Sequence, residues 1–147
     1  MKGHTNFALT KVVIALVAAI AFIVTACDYD LDIQKNVVFN KDGGVVKLDN
    51  SGHDWIDVER IFDSEGKVGK SAIFVVDSIM LSYGETQDIL LFRDSLDWLT
   101  TEIVDYEPCV LTLIAKPNNT GRRRSMKVEV ATTGPRFLYA TINVVQE

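Results

Sequence analysis

VLTLIAKPNNTGRRRSMKVEVATTGPRFLYATINVVQ, residues 110–146, is the stretch that decides the fold. Val110 to Ala115 is a short apolar, β-branched run, and Pro117 to Gly121 is a loop of turn-forming residues. From Ser125 to Ala131 the pattern alternates, with Met126, Val128 and Val130 on one face against Lys127 and Glu129. A period of two puts successive side chains on opposite faces of a strand, whereas an amphipathic helix needs apolar residues three and four apart. Thr133-Gly134-Pro135 breaks the pattern, and Phe137 to Val145 forms the closing strand.

The same signals continue toward the N-terminus. Val37 to Phe39 reads as a first strand, Lys41-Asp42-Gly43-Gly44 as a turn, and Val45 to Leu48 as the return. Asp49 to Gly52 turns again. From Trp55 onward, alternation assigns Ile56, Val58, Arg60 and Phe62 to one face and Trp55, Asp57, Glu59 and Ile61 to the other. Asp63 to Lys70 is a polar loop. Ser71 to Met80, mostly apolar and β-branched, reads as a strand buried on both faces. Ser82 to Glu85 is a turn, Thr86 to Phe92 a strand, and Trp98 to Val104 another. Turn residues recurring every ten positions or so define an all-β chain, an antiparallel sandwich of about seven to nine strands. Trp55, Trp98 and several phenylalanines are the expected bulk of its core.

Residues 1–26 read as a lipoprotein signal peptide. Lys2, His4 and Lys11 precede an apolar run from Val12 that ends on Val24-Thr25-Ala26-Cys27. This tetrad resembles the lipobox, in which small residues precede a cysteine that takes a diacylglyceryl group. The alternative is an uncleaved anchor. Val12 to Ala26 is only 15 residues, short of the ~20 that cross a bilayer, and acidic residues follow instead of a basic cluster. Each buried lipid CH₂ contributes ~0.8 kcal/mol, so several acyl chains on Cys27 hold the protein to the membrane. Residues 27–36 read as the lipidated cysteine and an acidic tether, and 37–147 as the folded domain. Cys27-Asp28-Tyr29-Asp30-Leu31-Asp32 also resembles the export signal of surface lipoproteins in Bacteroidetes, which implies an outer-membrane, surface-exposed location, whereas in enterobacteria an Asp directly after the lipidated cysteine favours inner-membrane retention.

Once Lys2 and Lys11 leave with the signal, 13 basic residues face 20 acidic ones, a net charge of −7. An acidic body argues against nucleic acid as a partner. With Cys27 acylated, Cys109 has no disulfide partner and is expected to be buried as a small apolar residue.

Asp97-Trp98-Leu99, the strand Val110 to Ala115, the loop Pro117 to Gly121, the Arg124-Ser125 step and the terminal Val144-Val145-Gln146 occur in a set order. This order resembles the BACON domain (Bacteroidetes-associated carbohydrate-binding, often N-terminal). Val38-Phe39, Gly43-Gly44 and Val45 to Leu48 look like that family's opening hairpin. The resemblance covers roughly residues 36–60 and 97–147. It departs at 63–96, where the chain is longer and has room for an extra hairpin. It implies an immunoglobulin-like sandwich and a non-enzymatic role in binding glycan or mucin, or in adhesion. The alternative is a structural envelope lipoprotein acting through protein–protein contacts at a sheet edge. Sugar C–H faces stack on flat aromatic rings, so Tyr83, Tyr106 and Trp98 are the candidate ligand-binding residues, with Tyr29 and Tyr139 behind them. Trp98, at a family position, is expected chiefly as core packing.

Catalytic and metal chemistry find little purchase. Ser64 to Ser71 nearly spells a phosphate loop but lacks its first glycine and leads into strand-forming residues. His53 is the one histidine after the signal, which disfavours a His-dependent triad or a His-rich zinc site. Asp54 with Asp57, or Asp94 with Asp97, could supply paired carboxylates, but nothing marks a cleft. Calcium at Asp63, Glu65 or the Asp94–Asp97 turn is equally unsupported, and no cofactor or metal is expected. Arg122-Arg123-Arg124 reads as a strand start rather than a phosphate contact. Asp77-Ser78-Ile79 and Asp94-Ser95-Leu96 match a short O-glycosylation sequon.

Overall fold

The computed structural model describes residues 31–49, 55–106, 109–133 and 137–147. The signal segment, Cys27 with Val24, Thr25 and Ala26, Tyr29, His53 and Asp54 lie outside the described residues. Among the described residues, nine strands form two sheets: β1 (Asn36–Phe39), β2 (Gly44–Asp49), β3 (Ile56–Asp63), β4 (Lys70–Met80), β5 (Thr86–Leu96), β6 (Leu99–Val104), β7 (Val110–Ala115), β8 (Arg124–Thr132) and β9 (Tyr139–Gln146). One sheet runs β1-β9-β8-β3 and the other β2-β7-β6-β5-β4. The fold is the all-β sandwich expected from the sequence.

Its core is aliphatic. Met126, Val128 and Val130 of β8 and Ala140, Ile142 and Val144 of β9 face Leu99, Ile103, Leu111 and Leu113 of the other sheet. Each valine, leucine, isoleucine or methionine among them contributes about 1.5–3 kcal/mol when fully buried. Phe39 and Trp98 are the buried aromatics among the described residues. Trp55 is half-buried, and Phe74 and Phe137 are exposed, against the expectation that aromatic rings fill the core. The packed body also starts earlier than residue 37, because Leu31 and Ile33 are buried in the core.

Three local readings are corrected. Lys41 to Gly44 does not close a hairpin: β1 pairs in parallel with β9, and β2 pairs antiparallel with β7 in the opposite sheet. The turn is a corner between layers. Gly43 holds φ at 76°, and a Cβ there would collide with the Ala115 carbonyl. In β3, a register shift between Val58 and Arg60 inserts one residue, so Ile56 and Ile61 both reach the core despite their opposite parity.

The third correction matters most. β4 is not buried on both faces; nearly all of it is exposed. It forms a long hairpin with β5, the extra hairpin for which residues 63–96 have room. Its sheet has five strands against four in the other, and β3, the end strand of that other sheet, packs across from β5. β4 therefore lies past the end of the sandwich, with no strand opposite among the described residues.

Candidate functional site

The motif residues singled out in the sequence converge on one end of the sandwich, as a clamp rather than a cleft. Gln146, fully buried on β9, donates from Nε2 to the carbonyls of Asn40 (3.0 Å) and Lys116 (2.9 Å). Its Oε1 accepts from Nε and Nη2 of Arg124 at 2.9 and 2.7 Å. Arg124 also donates to the carbonyls of Lys116 and Pro117, both at 3.1 Å, and its guanidinium lies 4.7 Å from the centre of the Trp98 ring. Asn118 ties the adjoining loop to the carbonyls of Arg122 and Glu147. Trp98 is only 6% exposed. It is corrected here as a ligand-binding candidate: a ring covered by Arg124 packs the core and offers no face to a sugar.

Tyr83, Tyr106 and Tyr139 are all exposed, yet they do not share a face. Tyr83 sits in the turn closed by the Leu81 amide donating to the Glu85 carbonyl at 2.7 Å. Tyr106 follows β6, whose end is fixed by the Asp105 amide donating to the Leu90 carbonyl at 2.8 Å. Thr86 to Leu90 alone spans about 13 Å, so the two rings form no common platform. Tyr139 lies on the outer face of the four-stranded sheet, in a depression of about 460 Å³ with Arg60 and Glu129.

A hollow of about 320 Å³ opens between the sheets, lined by Trp55, Asp57, Phe92, Ile103, Asp105 and Thr133. The Thr133 amide donates to the Trp55 carbonyl at 2.9 Å and fixes one wall. Asp57 accepts from the Val58 amide at 2.8 Å. Beside the hollow, the half-buried Cys109 thiol donates to the Ile56 carbonyl at 3.7 Å. Burial pushes this thiol above its ordinary range, and the charges of Asp105 and Asp57 push the same way. A thiol held protonated in this way is a poor nucleophile. Two carboxylates and an indole around a small hollow can hydrogen-bond and stack on a polar ring. Local sequence gave no sign of it, because its lining comes from segments up to 78 residues apart.

Of the paired carboxylates considered from sequence, Asp54 lies outside the described residues, and Asp94 and Asp97 do not meet. Asp94 is buried and accepts from the Ser71 hydroxyl, whereas Asp97 is exposed and bound to the Lys67 ammonium at 2.6 Å. Burial raises the Asp94 pKa, the bond from Ser71 opposes this, and the charge of Asp57 adds to it. Asp63 accepts from the Glu65 and Lys67 amides, both at 2.9 Å, which shapes its turn. Among the described residues, no group of three or more His, Cys, Asp or Glu side chains comes together as a metal site. The phosphate-loop-like Ser64 to Ser71 leads into β4, not a helix.

The most unusual surface is the free edge of β4. Ile73 and Val75 are each 62% exposed, Met80 is 81% exposed, and Phe74 and Val76 are exposed on the same strand. β5 pairs with one edge only; the other carries backbone N–H and C=O groups with no neighbouring strand among the described residues. Proteins usually keep such edges short, charged, interrupted by proline or covered. This one is 11 residues long, with Ile73 to Val76 uninterrupted by charge.

A scan against protein-family models, a search of curated proteins and a search of solved structures each found no match to this chain. The BACON resemblance therefore rests on the ordered motifs alone.

Proposed function

We propose that this chain is a non-enzymatic lipoprotein of a bacterial envelope, moored through Cys27, that works by protein contact along the free edge of β4. The observation that carries the reading is an apolar strand, paired with β5 along one edge only among the described residues, in which Ile73 to Val76 form an unbroken run of exposed large apolar side chains, whereas those exposed elsewhere, such as Val38, Val45 and Phe137, are scattered. An exposed edge binds by adding a strand: backbone hydrogen bonds supply affinity and alternate side chains supply selectivity. A lipid anchor suits this mode, because confinement to a membrane raises the effective concentration of partners.

A second reading, glycan binding, is favoured by the Trp55 hollow, with exposed Tyr106 next in sequence to Asp105. Residues 28–147 on glycan arrays, beside co-purification of the tethered chain from envelopes, separate the two. The contact reading expects silence across host and plant polysaccharides and a stable protein partner lost in Ile73→Lys. Sugar binding that is lost in Trp55→Ala and kept in Ile73→Lys would overturn it in favour of the hollow.

A further inference from the structure

We infer that the partner of the β4 edge is a second copy of this chain, paired antiparallel about a two-fold axis at Ile73. The inference rests on the contact reading above and goes further by fixing the occupant and its register.

Register against β5 fixes which way each β4 side chain points. β4 pairs with β5 as Lys70↔Ser95, Ala72↔Arg93, Ile73↔Phe92, Phe74↔Leu91 and Val75↔Leu90, then shifts so that Asp77 faces Ile89. Val76 is the extra residue of that bulge. Lys70, Ala72, Phe74 and Asp77 all pair with odd-numbered residues of β5 and so share one face; Ser71, Ile73 and Val75 share the other. Without the bulge, Lys70 and Asp77 would lie on opposite faces.

Two antiparallel copies related by a two-fold axis must oppose residues of the same face. With the axis at Ile73, Ile73 meets Ile73, Ala72 meets Phe74, Ser71 meets Val75 and, past Val76, Lys70 meets Asp77. Every strand pair is then compatible. A small side chain faces a large one, the centre is apolar, and an opposite-charge pair closes each end. Symmetry makes that charge pair twice, and no like charges are opposed. An axis at Phe74 instead sets Lys70 against Ile79 and Ala72 against Asp77, which wastes both charges. Lys70 and Asp77 are both exposed, so their reach toward a neighbouring strand is open.

Pairing also repairs the overhang. The two five-stranded sheets become one, with the β3 strands of the two copies on the same side and roughly 14 Å apart across β5-β4-β4-β5. Ile73 and Val75 then floor a narrow gap instead of facing bulk water.

The test uses the full chain produced and processed in a lipoprotein-secreting bacterium, with single cysteines on β4 and mild oxidation. Directly opposed residues bring Cα atoms to ~4.5–5.5 Å, within disulfide range. Ile73→Cys should therefore give a crosslinked species of twice the mass, whereas Met80→Cys should not, because two Met80 residues would lie roughly 40 Å apart. All these positions are exposed, so folding is not at issue. Lys70→Glu and Asp77→Lys should each lower the yield of co-isolated, differently tagged copies by roughly tenfold, and the double swap should restore it. Ile73→Cys crosslinking only to a different protein would overturn self-pairing while leaving the contact reading standing. No crosslink from any β4 cysteine would overturn both. Crosslinking at Met80 equal to that at Ile73, or a double swap no better than either single one, would refute the register.

Discussion

Gln146→Leu should be among the most destabilising single changes away from the aliphatic core. The wild-type amide makes four hydrogen bonds at a fully buried site: two from the Arg124 guanidinium and two to the carbonyls of Asn40 and Lys116. Both carbonyls keep another donor, the Gly43 amide for Asn40 and Arg124 Nη2 for Lys116. The loss therefore concentrates on Arg124, whose Nε has no other hydrogen-bond acceptor among the described residues. Charge-assisted bonds contribute ~1.5–3 kcal/mol each and neutral ones ~1 kcal/mol, and these share atoms, so the sum is not additive. Offset by the apolar gain of leucine, the expected cost is about 3 kcal/mol. That is a large part of the ~5–15 kcal/mol available to an ordinary domain. Urea unfolding of residues 28–147, followed by tryptophan fluorescence, reads it as a midpoint lowered by about 1–2 M. Because the Gln146 and Arg124 side chains act as a unit, Gln146→Leu/Arg124→Leu should cost at least 1 kcal/mol less than the two singles added. A loss below ~0.5 kcal/mol, or full additivity, would refute the clamp.

Other outcomes follow from the same structure. Thr101→Val removes a buried hydroxyl that has no partner among the described residues, and should stabilise the domain by about 1 kcal/mol in the same urea assay. Asp94 has its pKa raised chiefly by burial, so the stability its protonated form gives is full below the ordinary carboxylate pKa of ~4 and lost as pH climbs through the raised native value. Asp94→Asn should accordingly gain on wild type between pH 4 and pH 7; a constant difference would contradict the assignment. Gly43→Ala forces a left-handed alanine whose Cβ meets the Ala115 carbonyl, and should cost about 2–4 kcal/mol by thermal or urea unfolding. Mass spectrometry of the native chain should find Cys27 at the N-terminus with fatty acyl groups, and an intact chain from Met1 would remove the tether.

Strand positions were largely legible in the sequence because alternation is a local signal. Met126, Val128 and Val130 face the core as their spacing demands. What failed was whatever depends on neighbours. An apolar run such as Ile73-Phe74-Val75-Val76 looks the same whether a second layer covers it or not, so β4 read as a core strand. The bulge in β3 and the corner at Gly43 depend on register against β8 and β7, which no local pattern encodes. Trp98 was legible as packing, but not its union with Arg124 and Gln146 across 48 residues of chain. The Trp55 hollow had no local signature, and the β4 edge was foreshadowed only by the general idea of contact through a sheet edge.

Amide hydrogen exchange along β4 in the processed, membrane-tethered chain bears most directly on the claim that this edge is occupied. Protection of alternate amides through Ile73 and Val75 that point away from β5, abolished in Ile73→Lys while β5 and β6 stay protected, is the expected result. Outward amides of β4 that exchange as fast in the tethered wild-type chain as in Ile73→Lys would contradict it.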